Sequence, residues 1–249
     1  MKPVSQTFIS HCFGFGEKPI ELHRHKLKDV ATKFKSEGSS IEANLWLPFA
    51  AEAYHLSRDI KDYILVPVPV MFTALPNTNG DSVSLSQFLK FNPTLGMQAF
   101  KTFRGKPCHL EHDNKDITRA KGVILDVFLR PIKRFGNGRF YKLVELMAYD
   151  RSKDPALANA ILSREHNAYS VGFYYNAYSC SICNNRYSLA DKFSTTCAHT
   201  APRKPTYKDA LGRLVYRRCE DIVGFETSVV GNPAYVTAIG PHVFDPTTL

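Results

Sequence analysis

Apolar and aromatic residues crowd two runs near the middle of the chain, Gly122 to Leu129 and Phe140 to Tyr149, interrupted only by Asp126, Lys142 and Glu145. Their length and β-branched content predict two strands, and Gly136-Asn137-Gly138 between them suits a hairpin turn. Ile64 to Leu75 reads as a further strand. Pro67 and Pro69 place it at a sheet edge, because proline has no N–H to give to a central ladder. Tyr169 to Ala177 and Phe225 to Val230 complete the predicted strands. Ser84 to Phe91 reads as a short serine-capped helix with Leu85, Phe88 and Leu89 on one face. Asp154 begins another helix, with Pro155 at its first position and Leu157, Ile161 and Leu162 turned inward. The pattern predicts an α+β fold, a mostly antiparallel sheet or barrel core with flanking helices. Residues 63–249 form its expected span, and residues 1–62 carry no readable element. Lys33-Phe34-Lys35-Ser36-Glu37-Gly38-Ser39-Ser40 is the best candidate for a mobile linker.

With 249 residues and 44% hydrophobic content, the chain can bury a full core, most simply as one domain with an insertion. No apolar run approaches the roughly 20 residues of a membrane span, so no membrane partner is expected. The first ten residues lack the apolar core of an export signal, which favours an intracellular enzyme. A formal charge of +9 favours acidic partners: nucleic acid, acidic scaffold proteins or glutamate-containing substrates. The basic residues nevertheless form no dense cluster with interleaved aromatics, as a nucleic-acid groove would.

Six cysteines in such a chain point to metal or free thiols rather than to a disulfide framework. Cys180 and Cys183 form a CxxC pair, and Cys197-Ala198-His199 follows after a loop. Three thiolates and an imidazole would complete a closed tetrahedral zinc site in a ribbon-like insertion over residues 179–219. Cys219 is the alternative to His199 as fourth ligand. Four protein ligands leave no position for water, so the expected zinc is structural and catalysis needs no cofactor.

The candidate chemistry centres on Ser170, within Asn167-Ala168-Tyr169-Ser170-Val171-Gly172-Phe173. A serine hydroxyl becomes a nucleophile only when an imidazole takes its proton and a third group orients that imidazole. His109 and His112 lie upstream; Asp113 and Glu226 are the candidate carboxylates. On an extended segment, residues three apart point to opposite faces, so both histidines can serve Ser170 only if the chain bends between them. Asp113, adjacent to His112, would point away from its ring. Ser179 and Ser181 border the metal pair.

Five groups of residues extend this picture: Asn79-Gly80-Asp81; Thr102-Phe103-Arg104-Gly105-Lys106-Pro107; His112-Asp113-Asn114 followed by Ala120-Lys121-Gly122-Val123-Ile124; Ser170-Val171-Gly172-Phe173; and Glu226-Thr227-Ser228-Val229-Val230 with Asn232-Pro233-Ala234. In order and spacing, from about Asn79 to about Ala238, the chain resembles the prohead (capsid maturation) serine proteases of large tailed bacteriophages, distant relatives of the herpesvirus assemblins. That resemblance implies an assemblin-like fold, with Ser170 as nucleophile, His112 as base and Glu226 as the third member, a post at which assemblins use a second histidine. It implies a serine endopeptidase that cuts major capsid and scaffold or core proteins after glutamate, with a small residue two positions upstream. It also implies action inside the assembling prohead in the host cytoplasm, and a homo-oligomer is expected. Ser40-Ile41-Glu42-Ala43 matches that substrate form and is the candidate for self-cleavage, with Ala50-Ala51-Glu52-Ala53 a second match. The competing expectations are a zinc-stabilised basic nucleic-acid-binding module and a catalytically silent capsid component of the same fold.

Overall fold

A computed structural model describes residues 41–73, 75–135, 138–200, 205–240 and 243. The Lys33 to Ser40 segment and the Gly136-Asn137 part of the predicted turn lie outside them. Helix α1 (Ile41–Tyr54) precedes strand β1 (Tyr63–Phe72), β2 (Asp81–Ser82), helix α2 (Leu85–Leu89), β3 (Phe91–Asn92), β4 (Met97–Gln98) and β5 (Pro107–Leu110). The long strands β6 (Gly122–Phe135) and β7 (Gly138–Asp150) follow, then helix α3 (Pro155–Leu162), β8 (Tyr169–Tyr174), β9 (Ala177–Cys180) and β10 (Arg186–Ser188). The last strands are β11 (Tyr207–Lys208), β12 (Leu214–Val215), β13 (Arg217–Glu220) and β14 (Val223–Val229). Among the described residues no helix is long and apolar enough to cross a membrane.

Six strands form the main sheet in the order β1-β7-β6-β5-β14-β8, antiparallel throughout except for the parallel pair β5/β14. The expected hairpin is β6/β7, and β1 lies at an edge, where Pro67 and Pro69 cost least. The sheet curls into a half-barrel, so that its two edge strands approach and Val66 and Tyr169 share one core. Strand alternation divides the apolar residues between two faces. Ile64, Val66, Val68 and Val70 of β1 enter the inner core, while Tyr63 and Leu65 face α1. On β6 the phase flips at a bulge between Ile124 and Asp126: Ile124 points inward before it, Val127 and Leu129 after it.

Helix α1 caps the outer face of β1, β7 and β6 with Trp46, Leu47, Ala50 and Tyr54 at helical spacing, and the Trp46 ring meets Tyr63 edge-on, 5.0 Å between centroids. Lys153 ties the end of this helix to the body, its ammonium donating to the carbonyls of Tyr54 (2.8 Å), His55 (3.1 Å) and Thr118 (2.6 Å). Asp154 caps α3 through Leu157 N–H at 3.0 Å, with Pro155 in the first turn. Ser84 caps α2 in the same way, but that helix stops at Leu89 and Phe91 already belongs to β3.

One further expectation needs correction. The predicted strand from Tyr169 to Ala177 is two strands, because Tyr175 and Asn176 carry the chain out of the main sheet and into a second one. That sheet, β10-β9-β13-β2, is closed by a parallel β13/β2 pair and by a buried Arg217–Asp81 ion pair, Nε to Oδ1 2.8 Å. Each strand on the β8 side of the main sheet shows one core residue and one polar residue in turn. Cys108, Val229 and Tyr169 face the inner core, which leaves His109, Ser228 and Ser170 on the opposite face.

Candidate active site and metal centre

Beyond Leu110 the chain folds back sharply, since Glu111 and His112 both adopt left-handed backbone conformations (φ 50° and 56°) and Asp113 N–H donates to Leu110 C=O at 3.0 Å. Such conformations cost non-glycine residues about 1 kcal/mol or more each, so something must hold them. Glu111 N–H donates to Val229 C=O (2.9 Å), the Glu111 carboxylate accepts Gly231 N–H (2.7 Å), and His112 N–H donates to Ser228 Oγ (3.2 Å). All three anchors lie on β14 or the two residues after it. The bend carries the His112 ring onto Glu226, Nδ1 2.7 Å from Oε1.

Glu226 is 1% exposed, whereas the His112 side chain is 42% exposed, so a buried carboxylate holds a ring that solvent or a substrate can reach. Its second oxygen accepts the Ser228 hydroxyl at 2.7 Å. Ser228 therefore joins the His112 backbone to the Glu226 carboxylate, and its own proton is committed to that carboxylate. Ser170 stands directly across from Ser228 in the β8/β14 register, on the same face. Its hydroxyl has no hydrogen-bond partner among the described residues. Ser170 is thus the free hydroxyl of the pair, one strand away from the serine that positions the histidine.

Of the sequence candidates, His112 and Glu226 are in contact and Ser170 shares their face; Asp113 instead pairs with Arg119. His109 registers with Ser228 from the other side, so Ser170, Ser228 and His109 form a row across three strands. Both histidines reach one face because the left-handed bend separates them. His109 is 1% exposed and its Nδ1 is buried without a partner among the described residues. Burial lowers its pKa, which favours the neutral ring. The hydrogen bond that His112 donates to Glu226 acts oppositely, raising the His112 pKa above the usual 6.5 although burial works against the charge. Sequence reasoning gave Ser228 no role, yet its placement two residues after Glu226 puts both on one strand face.

Gly172 is the register partner of Glu226. A Cβ there would lie 2.5 Å from Glu226 Oε1 and 2.5 Å from the Phe225 ring, so the missing side chain is what admits both groups. Behind β14, on the inner face, the wholly buried Glu145 accepts the Thr227 hydroxyl at 2.8 Å. Burial pushes its pKa up to about 8, with the nearby Glu226 adding to the shift.

The second cluster lies where β9 ends. The ligand atoms of Cys180, Cys183, Cys197 and His199 all fall within 4.8 Å of one another. A tetrahedron of sulfurs about 2.3 Å from zinc has edges of roughly 3.8 Å, so the set could close around one ion with small adjustment. Ile182 N–H points at Cys180 Sγ, 3.4 Å away, which supports negative charge on the sulfur. Although burial opposes its ionisation, Cys197 has a pKa lowered to about 6 by hydrogen bonds from Thr200, His199 and Cys183. His199 Nδ1 is buried without a partner among the described residues, as a nitrogen awaiting a metal or proton acceptor would be. Cys219 stands apart in the core, 1% exposed with its sulfur 3.6 Å from Asp81 Oδ1, which leaves His199 in the fourth position.

No protein-family model matches the chain, and no curated protein or solved structure is significantly similar to it.

Proposed function

We propose that the chain is a serine endopeptidase in which Ser170 is the nucleophile, His112 the general base and Glu226 the orienting carboxylate. The observation that carries this reading is the 2.7 Å His112–Glu226 contact, held by Ser228 directly opposite Ser170, whose hydroxyl has no partner among the described residues. Glu226 occupies Nδ1, so Nε2 is the nitrogen left to exchange a proton. In the reaction Ser170 Oγ attacks the scissile carbonyl and His112 accepts its proton. The imidazolium then protonates the leaving amine, and water hydrolyses the acyl-enzyme by the same relay in reverse. The sequence resemblance supplies the rest of the proposal: an assemblin-like protease acting on capsid and scaffold proteins, after glutamate, inside an assembling prohead. Self-cleavage after Glu42 would require the first turn of α1 to unwind, because Glu42 and Ala43 are helical. The Cys180, Cys183, Cys197 and His199 set is proposed to hold a structural zinc.

A fluorophosphonate probe with mass-spectrometric mapping tests the assignment. Wild-type protein is expected to be labelled at Ser170, Ser170→Ala to remain unlabelled, and Ser228→Ala to label more slowly at the same residue. An unreactive wild-type protein, or a label on any other serine, would overturn it.

A further inference from the structure

The face that carries Ser170 continues along β8 into an aromatic surface that the relay does not use. Ser170, Gly172 and Tyr174 alternate onto this face. In the β8/β14 register Gly224 pairs with Phe173 and Glu226 with Gly172, so Phe225 is an extra, unpaired residue at a bulge. Its ring lies over Gly172, as the 2.5 Å approach to the absent Cβ requires, and so it sits beside the Glu226 carboxylate. Tyr174 stacks on Phe225 with centroids 4.5 Å apart and planes 26° from parallel. The outer ring is not packed away: Tyr174 is 65% exposed. A large aromatic side chain left open at the end of the strand that carries Ser170, and held flat by a second ring, is a ready-made platform.

We infer that the Phe225–Tyr174 pair is a substrate subsite that takes an apolar ring, aromatic or proline, from the peptide being cut. The inference rests on the proposed protease reading and adds a specificity element to it. Strand spacing fixes where such a ring belongs. Gly172 lies about 7 Å and Tyr174 about 13 Å along β8 from Ser170, and an extended peptide advances about 3.3 Å per residue. A substrate whose scissile bond is at Ser170 therefore brings a side chain two to four residues from that bond over the two rings. The cut-site map reads on which side of the bond it lies.

The test exposes a proteome-derived peptide library to wild-type, Tyr174→Ala and Tyr174→Phe protein and maps the cut sites by mass spectrometry. Wild-type cuts are expected to be enriched in a ring-bearing residue at one position two to four residues from the bond. Tyr174→Ala should lose that enrichment, Tyr174→Phe should keep it, and on a ring-bearing peptide the alanine variant should lose about 3- to 10-fold in kcat/KM, mainly through KM. Because Tyr174 is exposed, its truncation leaves the core intact. Cleavage with no ring preference, or a preference that survives in Tyr174→Ala, overturns the subsite while leaving the protease reading standing. No cleavage by wild-type protein overturns both.

Discussion

Around Glu226, small changes should have consequences far larger than their volume, since one buried carboxylate positions two side chains and its space is kept open by a glycine. As the proposed base His112 must be neutral to act, and Glu226 raises its pKa above 6.5. The kcat/KM profile should therefore rise with pH through a limb above 6.5. Glu226→Gln removes the charge that favours imidazolium, so its limb should move to lower pH while the maximal rate falls. Gly172→Ala should mimic this from outside the relay. Its methyl group would collide with Glu226 Oε1 and Phe225, and a displacement of that size costs about 100-fold in rate. An alanine variant with an unmoved limb and full rate would show that the His112–Glu226 contact does not matter. From sequence, the three catalytic candidates were legible as residues, but their geometry was not. The bend at Glu111 and His112 has no glycine to announce it, and Ser228 passed as an ordinary strand serine.

Strands and helices whose chemistry is local could be read directly: the proline-marked edge of β1, the β6/β7 hairpin and the Asp154-Pro155 start of α3 all follow from turn, cap and proline rules. Helix α1 was not legible because Pro48 stands inside it and the exposed, apolar Phe49 blurs its stripe, although Trp46, Leu47, Ala50 and Tyr54 keep helical spacing. The parallel contact of β5 with β14 was equally hidden, since more than a hundred residues separate the two and only tertiary packing unites them. Between these elements, β7 places Glu145 in an apolar layer behind β14. Its folded pKa of about 8 exceeds the ordinary carboxylate value of 4.5. Over that interval the unfolded chain releases a proton that the folded chain keeps, so stability declines as pH rises from about 4.5 to 8 and then levels. Glu145→Gln retains an acceptor for Thr227 and removes the titration. Denaturant unfolding should find it more stable than wild type by roughly 2–5 kcal/mol at pH 8, with little difference near pH 4.5. Equal gains at both pH values would refute the titration.

Across the whole molecule, the positive charge and the cysteines each fitted a nucleic-acid module as readily as an enzyme when taken alone. The structure gathers Cys180, Cys183, Cys197 and His199 in one place and leaves Cys219 in the core beside Asp81, so the cysteine pattern divides into a ligand set and a packing residue. A ribbon-like insertion was legible because CxxC spacing is itself a local rule. Its mechanical link to the candidate active site was not. From Ser170, β8 runs through Tyr175 and Asn176 straight into β9, which ends on the first ligand, Cys180. The strand of Ser170 is therefore joined at its far end to the Cys180 cluster, and an ion bound there would moor it. In hydrogen-exchange mass spectrometry, a chelator should speed amide exchange first in residues 177–188, then in residues 169–174, while β6 and β7 stay protected. Probe labelling of Ser170 should decay with the second phase and not the first. Simultaneous exchange across all five strands would mean that the metal governs global unfolding instead. On the staged outcome, the cell's supply of metal would set how long each molecule keeps a working active site.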